Sequence, residues 1–296
     1  MPTRRLGSLL ISAATGCTSI LPARRPAARR ILNHGGGAFG ASDWSAIQPP
    51  LARFGRVCAY DRAGYGWSDA SPRPRTVDHE TDELHTLLEN AGIAGPYVLV
   101  ADSLGSYTLR MYATRYPNKV AGMILIDTST EDEWMIPDIR KFNQQFGLVT
   151  AFCRAATPIG LWRLLGETGI FSYPVLAYAQ PELRARLQTQ TYRPAYCSTI
   201  FQETGLWNLD ASATMVRATR RPLGSLPLII LTAGAGYSSE QWRQGWLAQQ
   251  ADLLRLSTRS EQRIIADASH YNLTTDRADV VVDTVLDVLE MIPKSQ

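Results

Sequence analysis

The segment from Pro96 to Ser106 restricts the possible fold of this chain more than any other stretch. Its residues 97–101 are apolar or aromatic and mostly β-prone, which predicts a buried strand. A helix-compatible run begins at Leu104 and ends before Pro117. Because almost no residues remain between the two elements, the chain must turn sharply from strand to helix at Ser103.

Small residues flank this turn, with Ala101 two positions before Ser103 and Gly105 two positions after it. They let the strand and the helix pass close to each other, so that the Ser103 hydroxyl stands clear of the sheet. The N-terminus of the helix then offers the Leu104 N–H group to a developing oxyanion. The turn therefore predicts that Ser103 is a nucleophile, although these residues alone also fit a serine N-cap in an ordinary strand–helix unit.

Strand and helix patterns alternate through most of the chain. Apolar runs predict further strands at 30–33, 57–60, 120–127, 227–233 and 263–266. Amphipathic or helix-compatible runs predict helices at 76–90, 240–256 and 279–292, and a shorter helical piece that opens at Asp43 and breaks at Pro49-Pro50. This alternation predicts an α/β protein with a mostly parallel central sheet flanked by helices.

Residues 131–222 interrupt the alternation, because they contain helical pieces and prolines but no run typical of a buried strand. We therefore expect a helical cap at 131–222, inserted into an α/β core formed by residues 30–130 and 223–296. Residues 1–29 are expected to be a leader or an irregular N-terminal segment.

Charge is distributed unevenly along the chain. The net charge is +3, but residues 1–30 carry six arginines and no acidic residue. The remainder has 24 basic and 27 acidic residues, a net charge of −3. The chain after residue 30 is therefore weakly acidic, which argues against nucleic acid as the main partner.

The N-terminal segment resembles a short export signal, with Arg4 and Arg5 followed by an apolar run that leads to Cys17. That run is too short to span a bilayer. We favour an unstructured or partly stranded leader and a cytoplasmic protein, with export as the alternative. No other stretch of the sequence predicts a membrane-spanning segment.

The cysteines and two of the histidines do not predict a metal site. The four cysteines have no Cys-x-x-Cys pair and no ligand spacing with histidine, so we expect buried free thiols. A Cys153–Cys197 disulfide is expected only if the protein is exported. His79 and His85 lie beside four acidic residues on the helix predicted at 76–90, which indicates a solvated charged face. We predict no metal and no organic cofactor.

A serine nucleophile requires a base, and histidine is the side chain whose pKa suits neutral pH. Of the four histidines, His270 follows the last predicted strand and so belongs to the same sheet edge as the Ser103 turn. Asp127 ends the strand that follows the serine helix, and it is our candidate for the acid that orients the imidazole. The predicted catalytic residues are Ser103, His270 and Asp127.

Four motifs together resemble α/β-hydrolases of the esterase, proline-iminopeptidase and haloperoxidase-like branch. They are His34-Gly35-Gly36-Gly37, the loop from Tyr60 to Ser68, Asp102-Ser103-Leu104-Gly105 and Ser269-His270. The resemblance covers roughly residues 31–130 and 225–292, and the motifs follow the family's order of serine, acid and histidine. It implies that the N–H groups of Gly36 and Leu104 form an oxyanion hole and that 131–222 shapes substrate access. The residues predicted to contact the substrate are Phe39, Asp102 and Tyr271.

The chain departs from the family pattern in the position of the acid and at the first sheet edge. Family members usually carry the acid shortly after the penultimate strand, where this chain has no carboxylate before Glu240. Some members use the position of Asp127, which favours Asp127 over Glu240, although Asp127 also fits a structural end-of-strand residue. The family usually has two antiparallel strands before the glycine loop. Residues 1–29 show no alternation for them, so we expect an abbreviated or displaced first edge.

The register at the serine turn bears on the chemistry. Related dehalogenases and epoxide hydrolases use an aspartate nucleophile, and Asp102 directly precedes Ser103. With Asp102 in that role, Val100 and Leu104 would occupy the two positions that need small residues, so Ser103 and acyl transfer to water are favoured. The sequence therefore predicts hydrolysis of carboxylic esters, with an apolar small-molecule substrate.

Two alternatives to the esterase stay open. A proline-iminopeptidase-like aminopeptidase would need acidic cap residues for the substrate amine, and the candidates are Glu131, Asp132, Glu133 and Glu203. A binding module with a vestigial triad would keep the fold without catalysis. The sequence determines neither the particular ester nor the oligomeric state.

Overall fold

The structure is a computed structural model that describes residues 17–18, 30–34, 40–171, 176 and 181–293. Two predicted site residues, Gly36 and Phe39, therefore lie outside the described residues. Within those ranges, no helix combines the length and the apolar composition that crossing a bilayer requires.

Seven strands form one sheet in the described part of the chain. They are β1 (Cys17–Thr18), β2 (Arg30–His34), β3 (Arg56–Ala59), β4 (Tyr97–Asp102), β5 (Val120–Ile126), β6 (Leu228–Ala233) and β7 (Ser260–Ile265). Their spatial order is β1-β3-β2-β4-β5-β6-β7, and every neighbouring pair is parallel except β1 with β3. The predicted mostly parallel sheet is confirmed, and the two-residue β1 is the only described part of the antiparallel edge.

Helices connect the strands. They are α1 (Gln48–Leu51), α2 (Val77–Asn90), α3 (Gly105–Arg115), α4 (Pro137–Ala156), α5 (Leu161–Glu167), α6 (Pro181–Thr191), α7 (Pro194–Thr204), α8 (Leu206–Thr219), α9 (Glu240–Asp252) and α10 (Ala278–Met291). The prediction that Pro49-Pro50 breaks a helix is wrong, because both prolines lie in the first turn of α1. The first turn tolerates proline since its N–H groups have no partner within the helix.

The sheet is buried on both faces. Successive residues of a strand point to opposite faces, and both sets are buried in β4. Leu99 packs in one core with Tyr112 of α3, whereas Val100 packs in the other with Val285 of α10. Burial on both faces explains why the central strands are continuous apolar runs in the sequence.

The segment between β5 and β6 contains helices α4 to α8 and no strand among its described residues. We call residues 131–222 the insert. It has an apolar core of its own, which includes Trp162, Ile200 and Tyr196 and is joined by Tyr65 from the loop after β3.

A disulfide joins Cys153 of α4 to Cys197 of α7 inside this core. The prediction of free thiols is wrong for this pair and also for Cys58, which is disulfide-bonded too. The packing of α4 against α7 brings their Cα atoms to 5.4 Å, a separation typical of disulfides, and the spacing of the cysteines in the sequence does not reveal that contact.

Part of the charged face of α2 is also buried, contrary to prediction. Glu80 and Glu83 belong to a buried ion-pair network with Arg62, Arg75 and Glu203. Arg62 lies 2.9 Å from Glu203 and 3.1 Å from Glu80. Glu203 comes from α7 of the insert, which covers this part of α2. The sequence pattern of α2 alone does not show that another helix packs over its charged face.

Candidate active site

The chain turns from strand to helix at Ser103 with a backbone angle that non-glycine residues seldom adopt. β4 ends at Asp102 and α3 begins at Gly105. Between them Ser103 has φ +50°, and its N–H group donates to the Ile126 carbonyl at 3.0 Å. Asp127, with φ +39°, is the other non-glycine residue with positive φ in the described ranges. Such strained backbone is found preferentially at functional sites.

Asp127 directly follows β5 and is 1% exposed. Its Oδ1 accepts hydrogen bonds from the indole N–H of Trp246 at 2.7 Å and from the Ala233 N–H at 3.0 Å. Its Oδ2 lies 2.7 Å from Nδ1 of His270. The two donors on Oδ1 fix the carboxylate so that its second oxygen faces the imidazole.

His270 lies in the turn after β7, with 37% of its side chain exposed. Burial alone would lower its pKa, but the hydrogen bond and the charge of Asp127 outweigh burial and raise the pKa to about 9, with help from Asp102 and Glu133. Tyr271 packs edge-on against the imidazole at a centroid distance of 5.4 Å. With Nδ1–H donating to Asp127, Nε2 is the nitrogen that can accept a proton.

Asp102 is the last residue of β4 and a third carboxylate near this imidazole. Its Oδ1 is buried and has no hydrogen-bond partner among the described residues. Burial raises the pKa of Asp102 to about 6, although the charge of His270 opposes the rise and Asp127 adds to it.

The remaining predicted site residues fall in different places. Leu104 directly precedes α3, next to the serine turn. His34 ends β2 in register with Ala101 of β4, so β2 ends at the same sheet edge as the Ser103 turn. Glu240, the alternative acid, lies at the start of α9 and pairs with Arg243 at 2.6 Å instead of with His270.

Three of the four acidic residues that an aminopeptidase could use are bound by arginines. Glu131 pairs with Arg110 at 2.6 Å, Asp132 with Arg217 at 2.7 Å, and Glu203 with Arg62 at 2.9 Å. The fourth, Glu133, is hydrogen-bonded to Ser129 and Asn143, and burial raises its pKa.

Sequence reasoning missed the contribution of α9 to this site. Trp246 of α9 holds Asp127, and Gln250, one turn further along, holds the backbone of Thr128 through its amide. Thr128 in turn donates its hydroxyl to the Ser103 carbonyl at 3.1 Å. The four-residue spacing of Trp246 and Gln250 is the only signal in the sequence, and it does not indicate which loop these side chains contact.

The described residues contain no group of three or more histidine, cysteine, aspartate or glutamate side chains arranged to hold a metal ion.

Comparison with known proteins agrees with this fold. Residues 31–157 match the family described as alpha/beta hydrolase fold. The parallel sheet flanked by helices is the arrangement of that fold. The chain has the α/β-hydrolase fold.

Solved α/β-hydrolase-fold structures overlie nearly the whole chain. An epoxide hydrolase candidate from Pseudomonas aeruginosa is 18% identical, with a TM-score of 0.68 over 93% of this chain and 90% of its own. An enol-lactonase from Burkholderia xenovorans is also 18% identical, with a TM-score of 0.63 over 93% of this chain and 95% of its own. At such identity these similarities establish the fold.

A protein of Schizosaccharomyces pombe is 24% identical over 256 residues. The match covers 82% of this chain and 43% of that protein, so the chain spans less than half the length of this relative.

Proposed function

We propose that this protein is a serine hydrolase that cleaves carboxylic esters through Ser103, His270 and Asp127. The 2.7 Å contact between His270 and Asp127, at the sheet edge where Ser103 forms its strained turn, carries the proposal. A buried carboxylate fixed by two donors and aimed at one imidazole nitrogen is the arrangement that prepares the other nitrogen to act as a base.

In the proposed reaction, the Ser103 hydroxyl attacks the ester carbonyl while Nε2 of His270 takes its proton. The developing imidazolium is stabilised by Asp127, and the oxyanion accepts hydrogen bonds from the N–H groups of Leu104 and Gly36. His270 then protonates the leaving alcohol. In the second half, His270 activates water, which releases the acid from Ser103.

The backbone favours serine over aspartate as the nucleophile. The positive φ belongs to Ser103, whereas Asp102 is still part of β4. A carboxylate that ends a strand does not stand at the apex of the turn. Epoxide opening and dehalogenation through an aspartate nucleophile therefore fit this chain less well than acyl transfer.

The aminopeptidase alternative loses three of its four candidate groups. Glu131, Asp132 and Glu203 are neutralised by arginines, and a substrate amine would have to displace those cations. An uncharged ester requires no such exchange. We propose a small apolar ester as the substrate, and no metal or organic cofactor takes part in the proposed reaction.

The variant Ser103→Ala tests the proposal. We expect it to lower hydrolysis of p-nitrophenyl butyrate by roughly 10⁴-fold or more, because the base is left without a nucleophile to activate. A fluorophosphonate probe should label the wild type and not this variant. The matched control is Ser45→Ala, since Ser45 is exposed and lies outside the candidate site. Turnover retained in Ser103→Ala would refute the proposal, and wild type that is neither active nor labelled would favour a binding module.

A further inference from the structure

Exposed apolar side chains are concentrated in one part of the insert. Eleven large apolar side chains are well exposed in the described residues, and eight of them lie between positions 134 and 170. Soluble monomers rarely expose large contiguous apolar patches without a function for them. Five of the eight, called the insert face below, are Leu148, Phe152, Ile159, Leu164 and Ile170.

The insert face belongs to one continuous unit, the α4–α5 hairpin and the turn after it. The Phe152 ring of α4 packs edge-on against Trp162 of α5, and Trp162 packs against Phe171. Two turns of this unit contain glycines with positive φ, Gly160 and Gly169. A Cβ atom built on either glycine would meet nothing within 4 Å, so both glycines face open space.

The net charge of this unit is opposite in sign to that of the chain after residue 30. Residues 137–171 contain four basic and two acidic residues, a net charge of +2, whereas the chain after residue 30 has a net charge of −3. Arg140, Lys141 and Arg154 are exposed, and no described acidic side chain forms an ion pair with them. The fourth basic residue, Arg163, pairs with Glu167.

We propose that the insert face adsorbs to an anionic lipid surface. Exposed apolar side chains together with uncompensated basic residues are the combination by which helices bind the interface of acidic membranes. Docking of two copies through this face would bring the basic side chains of both copies into one interface, and like charges oppose such an interface. The proposal is independent of the ester hydrolysis proposed above.

Co-sedimentation of the full chain with lipid vesicles tests the proposal. Vesicles of equal parts phosphatidylcholine and phosphatidylglycerol should bind the wild type. The triple variant Leu148→Ser, Ile159→Ser and Ile170→Ser should bind about tenfold or more weakly, because these side chains, 73%, 77% and 75% exposed, would no longer enter the interface.

Two other exposed apolar residues supply the matched control. Phe54→Ser combined with Ile264→Ser removes side chains that are 48% and 52% exposed but lie outside the insert. This variant should bind like the wild type. The thermal unfolding midpoints of both variants should stay near that of the wild type, which separates loss of binding from misfolding. The arginines of residues 1–30 are present in every variant, so they do not affect the comparison.

The electrostatic part of the proposal has its own test. The double variant Arg140→Glu and Lys141→Glu should weaken binding to the acidic vesicles about tenfold or more and leave binding to pure phosphatidylcholine unchanged. Equal binding of the wild type to both kinds of vesicle would overturn the proposal. So would triple-variant binding equal to that of the wild type, or a wild-type dimer that the triple variant converts to a monomer in sedimentation velocity.

Discussion

At the residue scale, the candidate site depends on one carboxylate whose oxygens have different partners. Oδ1 of Asp127 accepts from Trp246 and Ala233, and Oδ2 faces His270. The positive φ of Asp127 turns the chain immediately after β5, so that the side chain can reach across β6 toward the turn after β7. The two contacts on Oδ1 hold the carboxylate, and the contact on Oδ2 orients the base.

The raised pKa of His270 predicts the pH dependence of ester hydrolysis. The base must be neutral to take a proton, so kcat/KM should rise with pH. The midpoint of this acid limb should lie above the ordinary histidine pKa of 6.5 and toward 9. Asp127→Asn should move this limb to lower pH, because the charge that stabilises the imidazolium is removed, and should lower kcat by roughly 10⁴-fold. Asp283→Asn, on the exposed side of α10, is the control. A limb that stays in place in Asp127→Asn would contradict the assigned role.

Trp246→Phe tests one of the two contacts that hold Oδ1 of Asp127. Loss of the indole N–H leaves Oδ1 of Asp127 with the Ala233 N–H alone, which should cost about 1–3 kcal/mol of unfolding free energy. We also expect a lower kcat with little change in KM, because the carboxylate would orient His270 less firmly. Trp242→Phe on the same helix is the control. Equal losses in the two variants, measured by denaturant unfolding and steady-state kinetics, would argue against a specific role for Trp246.

At the element scale, the buried ion-pair network joins the insert to the core. Two arginines, Arg62 and Arg75, face three carboxylates that come from α2 and α7. Burial raises the pKa of Glu80 to about 7 and the charge of Glu203 adds to the rise, while the two arginines oppose it. The network therefore favours a proton on Glu80 near neutral pH.

The raised pKa of Glu80 predicts how the unfolding free energy changes with pH. Because the pKa of Glu80 is higher in the folded state than its ordinary value of 4.5, its contribution to stability is fully present below 4.5 and is lost as pH rises through about 7. Glu80→Gln, which mimics the protonated form, should reduce the fall in unfolding free energy between pH 5 and pH 8. Asp82→Asn, a partly exposed position on the same helix, should leave the slope unchanged. Equal slopes in wild type and Glu80→Gln, from urea unfolding at each pH, would contradict the role of Glu80.

At the scale of the whole molecule, the Cys153–Cys197 disulfide joins positions 44 residues apart in the insert. Disulfides persist mainly in oxidising compartments, so detection of this bond in purified protein would favour the export alternative. The bond also fixes α4 against α7, the helix that carries Glu203 into the ion-pair network. The insert is thereby tied together internally and tied to the core.

Replacing both cysteines, Cys153→Ser with Cys197→Ser, should lower the unfolding free energy by up to about 4 kcal/mol, given a sequence separation of 44 residues. Because Cys58 is also disulfide-bonded, a reductant acts on both proteins, and it should lower the thermal midpoint of the wild type more than that of the variant. Mass spectrometry of denatured, unreduced protein after thiol alkylation checks the bond directly. Alkylation of both cysteines in protein purified without reductant would show that the bond is absent.

The sequence by itself determined the parallel sheet, the bend at Ser103, the strand end followed by Asp127, and the last strand that His270 follows. These follow from interactions close in the chain: apolar runs, small residues beside a turn, and polar residues at strand ends. Only the tertiary structure decided that Trp246 and Gln250 hold the acid loop, that Glu80 and Glu83 are buried, and that Cys153 meets Cys197. Each of those contacts joins elements far apart in sequence, and a local pattern specifies which face of a helix is buried or polar but not which element will cover it.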